Sequence, residues 1–287
     1  MTPLVAAAVL ASAILHPLWY ALVKRHPDPA AAYLALVIGI LTLGLTHALI
    51  AGAEIVGALD EWPLLALSVL GQIVYGRAVV LVLKGGDLSA YYPVIRSSPL
   101  AIVLIGWVAL DETYSPALLA GIGLVLAGAF FLQYKPGARL LADPLVLGLA
   151  VLAMLGSATY SIADSRLARE IHPAALLFWT QLAATPFLAA TFGSGGIGRR
   201  LRLLAASWAA RPWHALALAP LAYASYYLIL LAYGWGGNVA AVNAVRQVAI
   251  PISVLIGGMW LAEGEMRRRL PAALVLAAGV VAIVLAR

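Results

Sequence analysis

Ten apolar runs, each roughly 20 residues long and each closed by a short polar or Pro/Gly-rich segment, constrain the fold more than any other feature of this chain. They lie near 3–23, 31–51, 62–83, 88–109, 115–133, 143–163, 173–193, 212–233, 238–261 and 270–286. A run of that length crosses the hydrocarbon core as a helix, which satisfies its own backbone hydrogen bonds where lipid cannot. The expected fold is an all-α integral membrane protein with ten transmembrane helices. Composition agrees: 64% of residues are hydrophobic and 10% charged, against roughly 45–50% and about 25% in soluble domains. Cysteine is absent, which excludes disulfides and thiolate metal sites. The first run lacks a basic leader, and equally apolar runs follow it, so it reads as a retained helix and not a cleaved signal.

The net charge of +6 could suggest a nucleic-acid partner, but the basic residues are scattered through short loops. Orientation in the bilayer accounts for them better. An even helix count puts both termini on one side. That side carries Arg166, Arg169 and Arg287, while the other carries Lys24, Arg25, Lys84, Lys135, Arg139, Arg199, Arg200, Arg202, Arg211, Arg267, Arg268 and Arg269. Positive-inside bias then predicts a cell (inner) membrane protein with both termini on the non-cytoplasmic side. Trp62, Trp208, Trp213, Trp235, Tyr114 and Tyr134 stand at expected span ends, as interfacial aromatics do.

Shifting the chain against itself by 151 positions aligns "GGDLSAYYPVIRSSPLAIVLIGWVALDE" with "GGNVAAVNAVRQVAIPISVLIGGMWLAE". Gly85, Gly86, Leu104, Ile105, Gly106, Leu110, Glu112 and Gly128 then coincide with Gly236, Gly237, Leu255, Ile256, Gly257, Leu261, Glu263 and Gly279. Five spans per half is odd, so the second half enters from the opposite face. The spacing predicts two inverted five-helix repeats, residues 1–137 and 138–287, with a substrate site near the midplane between them.

Both halves place an arginine inside an apolar span, Arg96 in the fourth and Arg246 in the ninth. A charge at the bilayer centre costs about 2.5–3.5 kcal/mol on insertion scales, so each should face a wet cavity or a partner. Two roles are open. Each Arg can clamp carbonyls freed by Pro93, Pro99 or Pro251, or pair with Asp164. Alternatively, a guanidinium fork can hold a substrate carboxylate or phosphate. Helical spacing groups Ser89, Tyr92, Arg96 and Pro99 on one face, and Asn243, Arg246 and Ser253 on another. Further polar faces are Ser12, His16 and Trp19 or Tyr20; Ser68, Gln72 and Tyr75; Tyr160 with Asp164; and Tyr223 with Tyr226 or Tyr227. Together they describe a pocket for a small zwitterion, though each taken alone also suits an interhelical hydrogen bond. His16 and Asp164 are better placed to titrate there than Glu112 and Glu263, which sit at span ends. Gly123, Ala127 and Gly128, with Ala273, Ala277 and Gly279, permit close packing of the fifth and tenth spans.

These blocks resemble the drug/metabolite transporter superfamily, specifically its EamA-type members, over essentially the whole chain. "LHPLWYALVK" is similar to that family's first-helix pattern, with Pro17 and Tyr20 where Ala and Asn are usual. "GDLSAYYPVIRSSP" is similar to its fourth-helix pattern, "TYSIAD" to its sixth and "AVRQVAIPISVLIGGMWLAEGE" to its ninth. The resemblance implies ten helices in two inverted halves, and an exporter of amino acids or other metabolites. It assigns His16, Trp19, Tyr92, Arg96, Tyr160, Asp164 and Arg246 to the cavity. To these the polar faces add Tyr75, Tyr227 and Asn243. Small multidrug relatives couple protons through a first-helix Glu, which this chain lacks.

The expectation is therefore a secondary transporter, most simply an exporter of small amino acids or related carboxylates, with the lipid bilayer and a small solute as its partners. No cofactor or metal is called for. A lipid-linked carrier flippase of the same superfamily is the alternative. An intramembrane enzyme is a weaker one, since the chain has no HExxH helix and no GxSxG elbow. A Walker-type phosphate loop is also missing, which argues against direct ATP coupling.

Overall fold

The computed structural model describes residues 1–26, 29–85, 88–133, 143–191, 212–252 and 266–286, with isolated positions between 198 and 209. Among the described residues the regular structure is entirely helical. The helices are α1 (Pro3–Arg25), α2 (Pro29–Ile50), α3 (Trp62–Gly85), α4 (Leu88–Arg96), α5 (Ser98–Ala109), α6 (Pro116–Gln133), α7 (Pro144–Glu170), α8 (Pro173–Thr191), α9 (Pro212–Gly234), α10 (Val239–Val245) and α11 (Met266–Leu285). Short 3-10 turns occupy Gly57–Glu61 and Arg246–Val248.

Proline opens α1, α2, α6, α7, α8 and α9, where its missing N–H costs no hydrogen bond and its fixed φ suits the helix. Side-chain caps complete several of these starts. Asp143 Oδ1 accepts from the N–H groups of Leu145 at 3.0 Å and Val146 at 3.1 Å, and Thr2 Oγ1 accepts from Val5 N–H at 3.3 Å. Between α9 and α10 the chain turns through Gly236 at φ +83°, and Asn238 Oδ1 then caps α10 by accepting from Ala241 N–H at 3.1 Å.

Among the described residues, four stretches are long and apolar enough to cross a membrane: Pro3–Val23, Gly57–Val79, Pro144–Glu170 and Leu216–Gly234. Shorter apolar helices accompany them. Large apolar side chains also face outward, among them Leu4, Ile50, Val108, Leu145 and Leu285, an outer surface suited to lipid. The chain is a helical membrane protein.

The expected span 88–109 is not one helix. It breaks at Ser97, between α4 and α5, because Pro99 lacks an N–H and its ring opposes continuation. There Ser97 N–H turns to Val94 O at 3.0 Å, and the Ser97 hydroxyl donates to Pro93 O at 2.8 Å. The expected span 238–261 breaks likewise, since α10 gives way to the turn at Arg246–Val248 and helix resumes at 249–252. Its remainder lies outside the described residues. The two breaks share one register, Leu88 and Val239 standing 151 positions apart, as do Ser98 and Ala249. The expected span 143–163 runs on to Glu170, which puts Asp164 in a helix interior and not at an end.

Small residues set the closest seams. A Cβ on Gly71 of α3 would lie 2.7 Å from Tyr160 N of α7, and one on Gly156 would lie 2.8 Å from Tyr75 N. α6 and α11 approach in the same way: a Cβ on Gly279 would lie 2.6 Å from Val125 N. Gly128 belongs to this seam as expected. Gly123 does not, because a Cβ there would meet nothing within 4 Å, and Gly121 takes its place. α1 meets α9 through hydroxyls instead, Ser12 Oγ donating to Ser225 O at 2.6 Å and Ser225 Oγ to Ser12 O at 3.1 Å.

Candidate functional site

The broken helices α4 and α10 end at one cavity of about 190 Å³. His16 and Trp19 reach its lining from α1, Tyr75 from α3, Arg96 from the last residue of α4 and Tyr160 from α7. Asn243 of α10 and Arg246 of the following turn complete the lining. Each arginine thus stands at the C-terminal end of a short helix, where the macrodipole favours a cation.

Aromatic rings form much of the wall. His16 meets Trp19 edge to face at 4.9 Å between centroids, and Tyr75 meets Tyr160 in the same manner at 5.9 Å. The Arg246 guanidinium lies 5.6 Å from the Tyr226 ring centroid, a cation–π distance. Arg96 approaches His16 Nε2 through Nη2 at 3.5 Å.

From this lining a directed hydrogen-bond chain runs inward. Gln181 Nε2 donates to Gln72 Oε1 at 3.0 Å, Gln72 Nε2 to Ser68 Oγ at 3.2 Å, and Ser68 Oγ to Asp164 Oδ1 at 2.5 Å. Tyr226 donates to the other carboxylate oxygen, Oδ2. Asp164 is therefore buried and occupied on both oxygens, and it does not line the cavity. Asn243 is likewise committed. Its Nδ2 donates to Tyr233 Oη at 2.7 Å and Val239 O at 2.9 Å, and its Oδ1 accepts from Ser161 Oγ at 3.3 Å.

Among the described residues, three buried polar atoms lack any hydrogen-bond partner: His16 Nδ1, Arg246 Nε and Gln247 Oε1. All three belong to cavity-lining residues. An unsatisfied buried polar group is costly, so three around one space single this cavity out as the candidate site.

Three expected residues, Asp164, Tyr227 and Ser12, stand outside the cavity lining, and the side chains of others lie outside the described residues. Tyr227 faces away from the cavity and joins Tyr223, His47 and His172, stacking on Tyr223 at 5.6 Å while His47 Nδ1 and Tyr223 Oη lie 2.8 Å apart. Its neighbour Tyr226 is the cavity residue. Ser12 serves the α1/α9 seam and does not enter the cavity lining. The side chain of Tyr92 lies outside the described residues. Sequence reasoning missed Gln181, Ser157 and Ser225, which line the cavity. Gln181 had a signal, being an amide inside an apolar span.

Outside the spans, burial and then neighbouring His47 push the His172 imidazole below its usual range. In the loop after α5, burial and a hydrogen bond to Glu112 raise the Tyr114 phenol, which donates to Glu112 Oε2 at 2.7 Å. Among the described residues no group of three or more His, Asp or Glu side chains could hold a metal ion.

No family model and no curated protein matches the sequence. Among solved structures the likeness is clear at the level of fold. A chain described only as "Crystal structure of protein" superposes with a TM-score of 0.72 at 20% identity, over 100% of this chain and 98% of its own length.

Proposed function

We propose that this protein is a secondary membrane transporter that binds a small carboxylate-bearing metabolite between two inverted five-helix halves, residues 1–137 and 138–287. Amino acids fall within that class, and the resemblance to EamA-type exporters favours outward movement across the cell's inner membrane. The observation that carries the reading is the set of three unpartnered buried atoms, one on each of three residues lining a single cavity. Discontinuous helices ending at a central site are how such transporters bind solutes within the membrane.

The packing supports the two halves. Exchanging them converts the contact of α3 with α7 into that of α9 with α1, and the contact of α9 with α2 into that of α3 with α8. The pairs α2 with α8 and α6 with α11 map onto themselves. Counting α4 with α5, and α10 with its continuation, as single crossings gives ten spans with both termini on one side. By the charge count that side is non-cytoplasmic. Trp19, Gly76 and Leu188 line the cavity toward the basic loops, which makes the cytoplasmic side its natural mouth.

The test is counterflow in proteoliposomes loaded with individual unlabelled carboxylates. Saturable exchange should appear and weaken about 10- to 100-fold in Arg246→Gln, the span expected for loss of a charge-assisted hydrogen bond. Absence of exchange for every carboxylate by folded protein, or full affinity in Arg246→Gln, overturns the reading.

A further inference from the structure

We infer that the ligand of this cavity is a small hydroxy acid carrying net negative charge, and not a zwitterionic amino acid; this rests on the cavity being the binding site of the transporter proposed above. The argument begins with the polarity of the three unpartnered atoms. Arginine can only donate, so the contact between Arg96 Nη2 and His16 Nε2 makes Nε2 the acceptor. The neutral imidazole then carries its proton on Nδ1, and the unpartnered Nδ1 is a donor. Arg246 Nε–H is a second unpartnered donor. Gln247 Oε1 is an acceptor, its amide Nε2 being engaged with Asn243 O at 3.3 Å. The unmet demand is two acceptors and one donor. A carboxylate supplies the acceptors and an adjacent hydroxyl supplies the donor.

Charge separates a hydroxyl from an ammonium in the donor role. Among the described residues lining the cavity there is no Asp or Glu, while two guanidinium groups are present. The nearest buried carboxylate, Asp164, already accepts from Ser68 and Tyr226. An ammonium entering here finds a neutral amide and two like charges, and it surrenders its hydration for no counter-charge. A hydroxyl satisfies Gln247 Oε1 without that loss. The Nε–H of Arg246 also explains why arginine stands there, since lysine cannot present a fixed planar donor beside its charge.

The experiment uses the full chain in proteoliposomes and compares acids that differ only at one substituent: lactate with alanine, malate with aspartate, and lactate with propionate. Counterflow and thermal stabilisation are both read. The hydroxy acid should outcompete its amino partner by about tenfold or more, because a site built around one hydrogen-bonding pattern rejects the analogue that cannot complete it. In Gln247→Met the preference for lactate over propionate should collapse while propionate binding is kept. Arg246→Lys, which keeps the charge, should still lose most of the affinity for all the acids. Alanine or aspartate exchanging as well as, or better than, its hydroxy partner overturns the inference and leaves the carboxylate transporter standing. Failure of every acid with folded wild-type protein overturns both.

Discussion

The buried polar interior divides into two regions that differ in how completely their hydrogen-bonding atoms are used. Around Asp164, Ser68 and Tyr226 fill both carboxylate oxygens, Gln72 and Gln181 extend the chain, and nearby Asn243 is engaged at both ends. Around Arg246 the reverse holds: Nε has no partner, nor does Oε1 of the adjacent Gln247, nor Nδ1 of His16 in the same lining. The first region is a finished joint between α3, α7 and α9. The second is unfinished, with three polar atoms left unpartnered among the described residues. The difference shows why burial and polarity alone do not identify a binding residue, since Asp164 satisfies both conditions with both of its oxygens already engaged within the chain.

The comparison breaks most easily at Asp164. In Asp164→Ala the hydroxyls of Ser68 and Tyr226 lose their common acceptor inside a buried, polar joint. We expect a loss of roughly 2–5 kcal/mol of stability, read as a lower thermal midpoint and reduced monodisperse yield in detergent. Were Asp164→Ala to keep its midpoint and lose only transport, Asp164 would belong to the unfinished region instead.

A smaller effect is expected at the seam that holds the joint together. Gly71 lies one turn from Ser68 on α3, and a Cβ there would sit 2.7 Å from Tyr160 N and 2.9 Å from Gly156 O, both backbone atoms that cannot swing aside. Gly71→Ala must therefore separate α3 from α7 and lengthen the Ser68–Asp164 contact. The expected loss is roughly 1–3 kcal/mol, the usual range for overpacking a tight interface, measured by the same thermal midpoint. Gly123→Ala, where a Cβ meets open space, is the control and should leave the midpoint unchanged.

The sequence made some of this legible and could not supply the rest, for reasons of geometry. Proline starts, the paired Gly-Gly entries into two spans and the intramembrane arginines are local signals, and the helix starts and breaks follow them closely. Facing is different. Successive residues on a helix point about 100° apart, so Tyr226 and Tyr227 are equivalent in pattern, and only the packing of α9 against α7 and α2 turns Tyr226 inward and Tyr227 toward His47. Gly121 and Gly123 present the same ambiguity. The commitment of Asn243 was also invisible, because its partners Tyr233 and Ser161 come from different helices and their convergence is a property of the assembled bundle.

The smallest stability effect, and the one with the opposite sign, is expected at Gln247. This side chain is buried and donates to Asn243 O at 3.3 Å, while its Oε1 is shut from solvent without a donor. Replacing a buried amide by an unbranched apolar group of similar volume removes an unsatisfied acceptor and one long hydrogen bond together. Asn243 O keeps its place in the helix backbone. The two losses oppose each other, so Gln247→Met should leave the ligand-free thermal midpoint within about 0.5 kcal/mol of wild type or raise it slightly. The same substitution should reduce the extra stabilisation that a bound hydroxy acid provides. A clear drop in the ligand-free midpoint would mean that Oε1 is already satisfied in the resting protein, and Gln247 would then join Asp164 and Asn243 in the finished region.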